Sequence, residues 1–104
     1  MTLKDIEKIP LYQTRAIAQA TEDKATALYI GECLRRYYSG DYGKVPQEDT
    51  DLNNNELAAG DGHILARYNA AHQLQHDIYI ESHFSNTIDG IDGNNTLIMY
   101  VWER

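Results

Sequence analysis

Four histidines, His63, His72, His76 and His83, are the side chains that ordinarily change charge near neutral pH, so acid–base or metal chemistry would start from them. His72 and His76 stand four residues apart and would share a face on a helix. A hydrolytic zinc helix carries a glutamate directly after its first histidine, and no such glutamate is present. No cysteine pair supplies a structural zinc site either. The segment around His72 and His76 reads as a polar connection, so the histidines are expected in loops and at strand ends, with no metal held.

Cys33 is the single cysteine, which excludes an internal disulfide. It would act as a nucleophile only with a histidine in hydrogen-bond reach. It falls mid-helix among apolar residues, where a buried, inert thiol is ordinary. Asp89, Asp92 and Asn94 suggest a calcium loop, but the alternate acidic positions, sixth-position glycine and distal glutamate are missing. The two Asp-Gly pairs there read as turns. No nucleophile elbow, dinucleotide fingerprint or kinase signature occurs. The chain is expected to be non-enzymatic and to need no cofactor.

Gly40-Asp41-Tyr42-Gly43 is the most distinctive local pattern. It could present Tyr42 to a ligand. The favoured reading is a helix C-cap followed by a turn, with Asp41 accepting bonds from turn amides. It does not complete a phosphate-cradling loop, and Asp41 would repel an anion. Residues 41–61 hold Asp41, Glu48, Asp49, Asp51, Glu56 and Asp61 against Lys44 alone, a local net charge of −5. That segment is either a solvated helix face or a negative surface that occupies a basic nucleic-acid channel on a partner. Of the eight tyrosines, Tyr38 and Tyr42 flank the acids and are expected to be exposed. The expected partner-binding set is therefore Tyr38, Asp41, Tyr42, Glu48, Asp49, Asp51 and Glu56. A second reading makes the chain a nucleotide-sequestering protein, with Arg35, Arg36 and Arg67 on the phosphates.

The whole chain carries −7, from sixteen acids and nine bases. It would repel nucleic-acid phosphates and anionic membranes, so neither is expected to bind directly. Its 104 residues suit one domain, 1–104. No apolar h-region follows Met1 and no run approaches the roughly 18 residues of a membrane span, so a cytoplasmic location is expected. The sequence is compatible with a homo-oligomer and does not fix the oligomeric state.

Positioning these groups requires a short strand over 11–17, then a helix capped by Thr21 and ending near Ser39, with Gly40 at C′. Its apolar stripe is Ala27, Ile30, Leu34 and Tyr37 or Tyr38, with Glu32 and Arg36 paired outside. Gly31 would demand close packing to offset its helix penalty. A second, polar helix starts with Pro46 at N1, turns Leu52 and Leu57 inward and stops at Gly60. Strands follow at 63–68, 77–84 and 96–102; the last is nearly continuously apolar and hence central. The order β-α-α-β-β-β predicts an α+β fold with two helices on one face of a four-stranded, mainly antiparallel sheet.

Over residues 34–81 one set of residues stands out: Gly40, Asp41, Tyr42, Gly43, Glu48, Asp49, Asn53, Leu57, Gly60, Ile64, Leu65 and Tyr68. In this the chain resembles a group of small bacterial proteins from plasmids, phages and integrated elements, often called plasmid-related proteins. Its C-terminal third departs from that pattern, with longer connections between the last strands. The resemblance implies a mobile-element setting, in which an accessory role in plasmid maintenance is the alternative to inhibition. There the acidic surface would inhibit a bacterial defence effector with a basic nucleic-acid-binding surface, a CRISPR nuclease such as Cas9 being the first candidate.

Overall fold

The computed structural model describes residues 1–85 and 94–104. In chain order the elements are α1 (Leu3–Glu7), β1 (Leu11–Gln13), α2 (Arg15–Ala20), α3 (Lys24–Tyr38), α4 (Gln47–Ala59), β2 (Asp61–Tyr68), β3 (Ile78–Ser85) and β4 (Asn95–Tyr100). A 3-10 turn, Val101–Glu103, follows β4. The described strands form one sheet in the order β1-β4-β3-β2. β4 is central, parallel to β1 and antiparallel to β3, and β2 pairs antiparallel with the other side of β3. The fold is α+β, with α2, α3 and α4 packed against the sheet.

Alternation explains which face is covered. Ile78, Ile80 and Ser82 of β3 stand opposite Tyr68, Ala66 and Ile64 of β2, and opposite Tyr100, Ile98 and Thr96 of β4. All are buried, as a half-covered antiparallel sheet requires of every second residue. On α3, Thr26, Ile30, Cys33 and Tyr37 recur at helical spacing and are buried. Ile6, Ile17 and Leu57 bring α1, α2 and α4 into the same core. One polar chain crosses it: the Tyr37 hydroxyl bonds Ser82 Oγ at 2.6 Å, and Ser82 Oγ bonds Thr96 Oγ1 at 2.6 Å. These buried hydroxyls partner one another, so their desolvation is compensated.

The N-terminal quarter differs from expectation. The alternation over 11–17 makes only a three-residue strand, because the Thr14 hydroxyl accepts the Ile17 amide and starts α2. Thr21 ends that helix, and Asp23 caps α3 through the Thr26 amide at 3.0 Å. α1 is opened by a reciprocal capping box between Thr2 and Asp5. At the other end β4 stops at Tyr100, where Glu103 accepts the Tyr100 amide at 2.8 Å and draws Val101 and Trp102 into the 3-10 turn.

Several packing expectations are corrected as well. Thr26, not the exposed Ala27, lies on the buried stripe of α3. Glu32 pairs with Arg35, leaving Arg36 for Asp41. Gly31 faces open space, with nothing where a Cβ would stand, so no close packing offsets its helix penalty. Pro46 is the N-cap of α4 rather than its first residue. The Asp-Gly turn expected around Asp89 and Asp92 lies outside the described residues. No helix among the described residues is long and apolar enough to cross a membrane.

Candidate interaction surface on the acidic helix

α4 is set by its ends and by one buried amide. Glu48 and Asp49 occupy its first turn, where the helix dipole favours negative charge. Gly60 closes it in the left-handed region at φ 74°. Asn53, 5% exposed, clasps the free edge of β2: its Nδ2 donates to the Leu65 carbonyl at 2.9 Å and its Oδ1 accepts the Leu65 amide at 3.1 Å. Leu57, one turn on, enters the core.

With Asn53 and Leu57 inward, the helical period of about 100° per residue sends Glu48, Asp51 and Leu52 outward and leaves Asp49 and Glu56 on the flank. Glu48, Asp49 and Asp51 are exposed, and Glu56 is half-buried with its carboxylate against Gly62. Leu52 was expected inward but is 53% exposed. Leu52 and Leu57 are five residues apart, about 140° round a helix, so only one of them can meet the core. Beside Leu52 a hollow of about 120 Å³ opens between α4 and β2, lined by Asp49, Asn53, His63 and Leu65.

Much of the positive charge is already paired elsewhere. Arg35, Arg36, Lys44, Arg67 and Arg104 are engaged by Glu32, Asp41, Asp77 and Glu81. Residues 47–61 contain no lysine or arginine. Among the described residues, none of Glu48, Asp49, Asp51, Glu56 and Asp61 meets a cation. Gln47 donates to Asp51 at 3.0 Å, which orders the first turn without neutralising it.

Gly40-Asp41-Tyr42-Gly43 belongs to the scaffold. Gly40 takes φ 90° after α3 ends. Asp41 accepts Arg36 Nε at 2.7 Å and Nη2 at 3.2 Å, and the Gly43 amide at 3.1 Å. The Arg36 guanidinium, then that amide, hold its carboxyl below the usual range. Its charge is therefore matched internally, unlike those on α4. Gly43 lets the chain pass against β2, where a Cβ would strike the Arg67 carbonyl and the Tyr68 ring. Lys44 donates its amide to the Arg67 carbonyl at 2.7 Å, and Arg67 returns its own to the Tyr42 carbonyl at 3.1 Å.

Neither flanking tyrosine is freely displayed. Tyr42 is 3% exposed, against the expectation that it would face a partner. It packs edge-on to Tyr37 at 6.0 Å. Tyr38 is half-buried and also meets Tyr37 edge-on. The Tyr42 hydroxyl is buried with no hydrogen-bond partner among the described residues. Replacing Tyr42 by phenylalanine removes that uncompensated group and is expected to raise stability by about 1 kcal/mol. The midpoint of urea unfolding measures it, and a comparable loss of stability would mean the hydroxyl is satisfied after all.

The remaining candidates do not converge. His72 lies in a turn at φ 52°, and His76 sits edge-on to Tyr100, so the two share no helical face. His63 and His83 stack across β2 and β3 at 5.6 Å, both exposed. Among the described residues no group of three His, Cys, Asp or Glu side chains could hold a metal. Asn94 spends its Oδ1 on the Ser85 amide at 2.7 Å. Cys33 is fully buried, and burial pushes its thiol pKa up. Arg35, Arg36 and Arg67, the phosphate-binding candidates, each have a carboxylate of their own.

No family model, no characterised protein and no solved structure matches the chain.

Proposed function

We propose that this chain is a non-catalytic binding module that presents the outer face of α4 to a basic surface on a partner protein. One observation carries the reading: Glu48, Asp49 and Asp51 remain uncompensated around the exposed Leu52, while five of the nine cationic side chains are consumed by other carboxylates. A desolvated apolar anchor ringed by charge is the pattern of an interface hot spot and its rim. The carboxylates would speed encounter with a positive partner and set its orientation, and Leu52 would supply the buried contact.

The resemblance to plasmid-related proteins directs the choice of partner. It favours a bacterial defence effector whose nucleic-acid channel is lined with lysine and arginine, and a CRISPR nuclease such as Cas9 is the first to try. The module would compete with nucleic acid for that channel without itself binding nucleic acid.

The test is co-purification with a panel of such effectors, joined to a nuclease assay. Combined Glu48→Lys, Asp49→Lys and Asp51→Lys substitutions alter exposed side chains at the start of α4, where lysine opposes the helix dipole. Folding of the variant is therefore checked by its urea midpoint, and combined Glu48→Gln, Asp49→Asn and Asp51→Asn substitutions serve as the milder variant. At low ionic strength they are expected to weaken binding roughly tenfold or more, and the difference should shrink as salt is raised. Leu52→Ala should weaken binding at all salt concentrations. An intact protein that inhibits no effector, or a triple variant that inhibits as well as the parent, would overturn the reading.

A further inference from the structure

Trp102, the only tryptophan, is 63% exposed. Its ring lies parallel to that of Tyr100, at 5.8 Å and 11°, and His76 meets Tyr100 edge-on at 6.0 Å. The platform is held by its backbone. Glu103 accepts both the Tyr100 amide at 2.8 Å and the Thr14 hydroxyl at 2.9 Å, and the Val101 amide donates to the Asp77 carbonyl at 3.1 Å. The rings therefore need little ordering when something binds.

Facing the platform across a cleft of about 380 Å³ is α2. Ala16 and Ala20, one turn apart, leave that space open, whose size is within the roughly 300–1,000 Å³ of small-ligand sites. The rim carries the amides of Gln19, Gln73 and Gln75. The segment bearing the last two is anchored by the buried Leu74 and by the Gln73 backbone N–H, which donates to Thr26 Oγ1 at 3.0 Å. Among the described residues no Asp, Glu, Lys or Arg lines the cleft. The nearby Asp77 is taken up by Lys44 and Arg67.

We infer that this cleft binds a neutral saccharide, with one pyranose ring seated on Trp102. The chemistry of the walls selects it. An indole face takes a flat apolar surface. A glutamine side chain offers two donors and an acceptor, which suits paired hydroxyls able to give and to receive. The net charge of −7, with no lysine or arginine among the described lining residues, disfavours phosphorylated ligands. The inference does not depend on the role proposed for α4.

Trp102 is its own reporter, since no other tryptophan contributes fluorescence. The protein is titrated with neutral disaccharides built from glucose, galactose or N-acetylhexosamine and, separately, with uncharged nucleosides. A saturable change in emission at millimolar saccharide is expected, with no such change from nucleosides. Gln73→Ala and Gln75→Ala should each weaken binding roughly three- to tenfold. Trp102→Ala, followed by calorimetry, should weaken it roughly tenfold or more; its exposed position leaves the fold intact. Absence of any saturable saccharide response overturns the inference. So does binding of nucleosides in place of saccharides, or saccharide binding that survives Trp102→Ala undiminished.

Discussion

Asn53→Ala is expected to destabilise the fold by about 2–3 kcal/mol, although alanine is the better helix former. The substitution strips the Leu65 amide and carbonyl of partners at 3.1 and 2.9 Å on the outer edge of β2. Each orphaned, partly buried group is worth roughly 1–2 kcal/mol. Higher helix propensity returns only about 0.5 kcal/mol. Urea unfolding at neutral pH gives the total, and hydrogen exchange at the Leu65 amide localises it, because that proton is held by the Asn53 side chain. Asn53→Asp separates the two bonds: its carboxylate can still accept the amide but cannot donate to the carbonyl. A Leu65 amide that stays protected in Asn53→Ala, with stability within 1 kcal/mol of the parent, would show that the clasp is dispensable.

The clasp gives a physical role to several residues of the set noted over 34–81. β2 is an edge strand, and an uncovered edge invites pairing with another chain. Here it is covered twice. Asn53 takes Leu65, and the chain at Tyr42–Lys44 takes Arg67. Gly43 permits that approach, Tyr42 anchors it in the core, and the Tyr68 hydroxyl donates back to the Asp41 carbonyl at 2.7 Å. Gly40 and Gly60 end the flanking helices in conformations that disfavour a side chain. The motif thus describes how α3, α4 and β2 are joined. The groups free to meet a partner, Glu48, Asp51 and Leu52, lie on the outer side of the same helix.

What was legible followed the strength of the local signal. The bodies of α3, β2, β3 and β4 were readable because each carries apolar residues at one period, and polar α4 because Pro46 and Gly60 bracket it. The first twenty residues hold two helices of five and six residues and a strand of three. Elements this short depend on tertiary contact, and their capping side chains, Thr2 with Asp5 and Thr14 with Ile17, were the only local evidence. The acidic surface was half legible. Charge along the chain identified Glu48, Asp49 and Asp51, but no sequence rule could show that Arg36 would reach Asp41 or that Tyr42 would turn inward. The Trp102 cleft was invisible because its walls come from α2, the 71–77 connection and the turn after β4. An apolar run ending in Val-Trp looked like a continuing strand until Glu103 closed it.

The second large effect concerns Asp77. Its carboxylate accepts Lys44 Nζ at 3.0 Å, Arg67 Nε at 3.0 Å and the Ala70 amide at 2.9 Å, joining the 40s loop, β2 and the connection that leads to β3. The Lys44 ammonium, then the Ala70 amide and the Arg67 guanidinium, lower its pKa from 3.8 to about 2. A group whose pKa falls on folding stabilises the folded state above its unfolded value and loses that contribution as pH drops through its folded value. For Asp77 the stabilisation is complete above about pH 4–5 and is gone below about pH 2. A shift of this size corresponds to about 2 kcal/mol, trimmed because Lys44 and Arg67 both reach solvent. Asp77→Asn keeps the shape and removes the charge, so at pH 7 it should be less stable than the parent by about 2 kcal/mol. The gap between the two proteins should close steadily from pH 4.5 toward pH 2. Urea midpoints at several pH values measure both curves. A gap that stays constant down to pH 2 would mean the loss at neutral pH comes from packing or from the Ala70 bond, not from the paired charge.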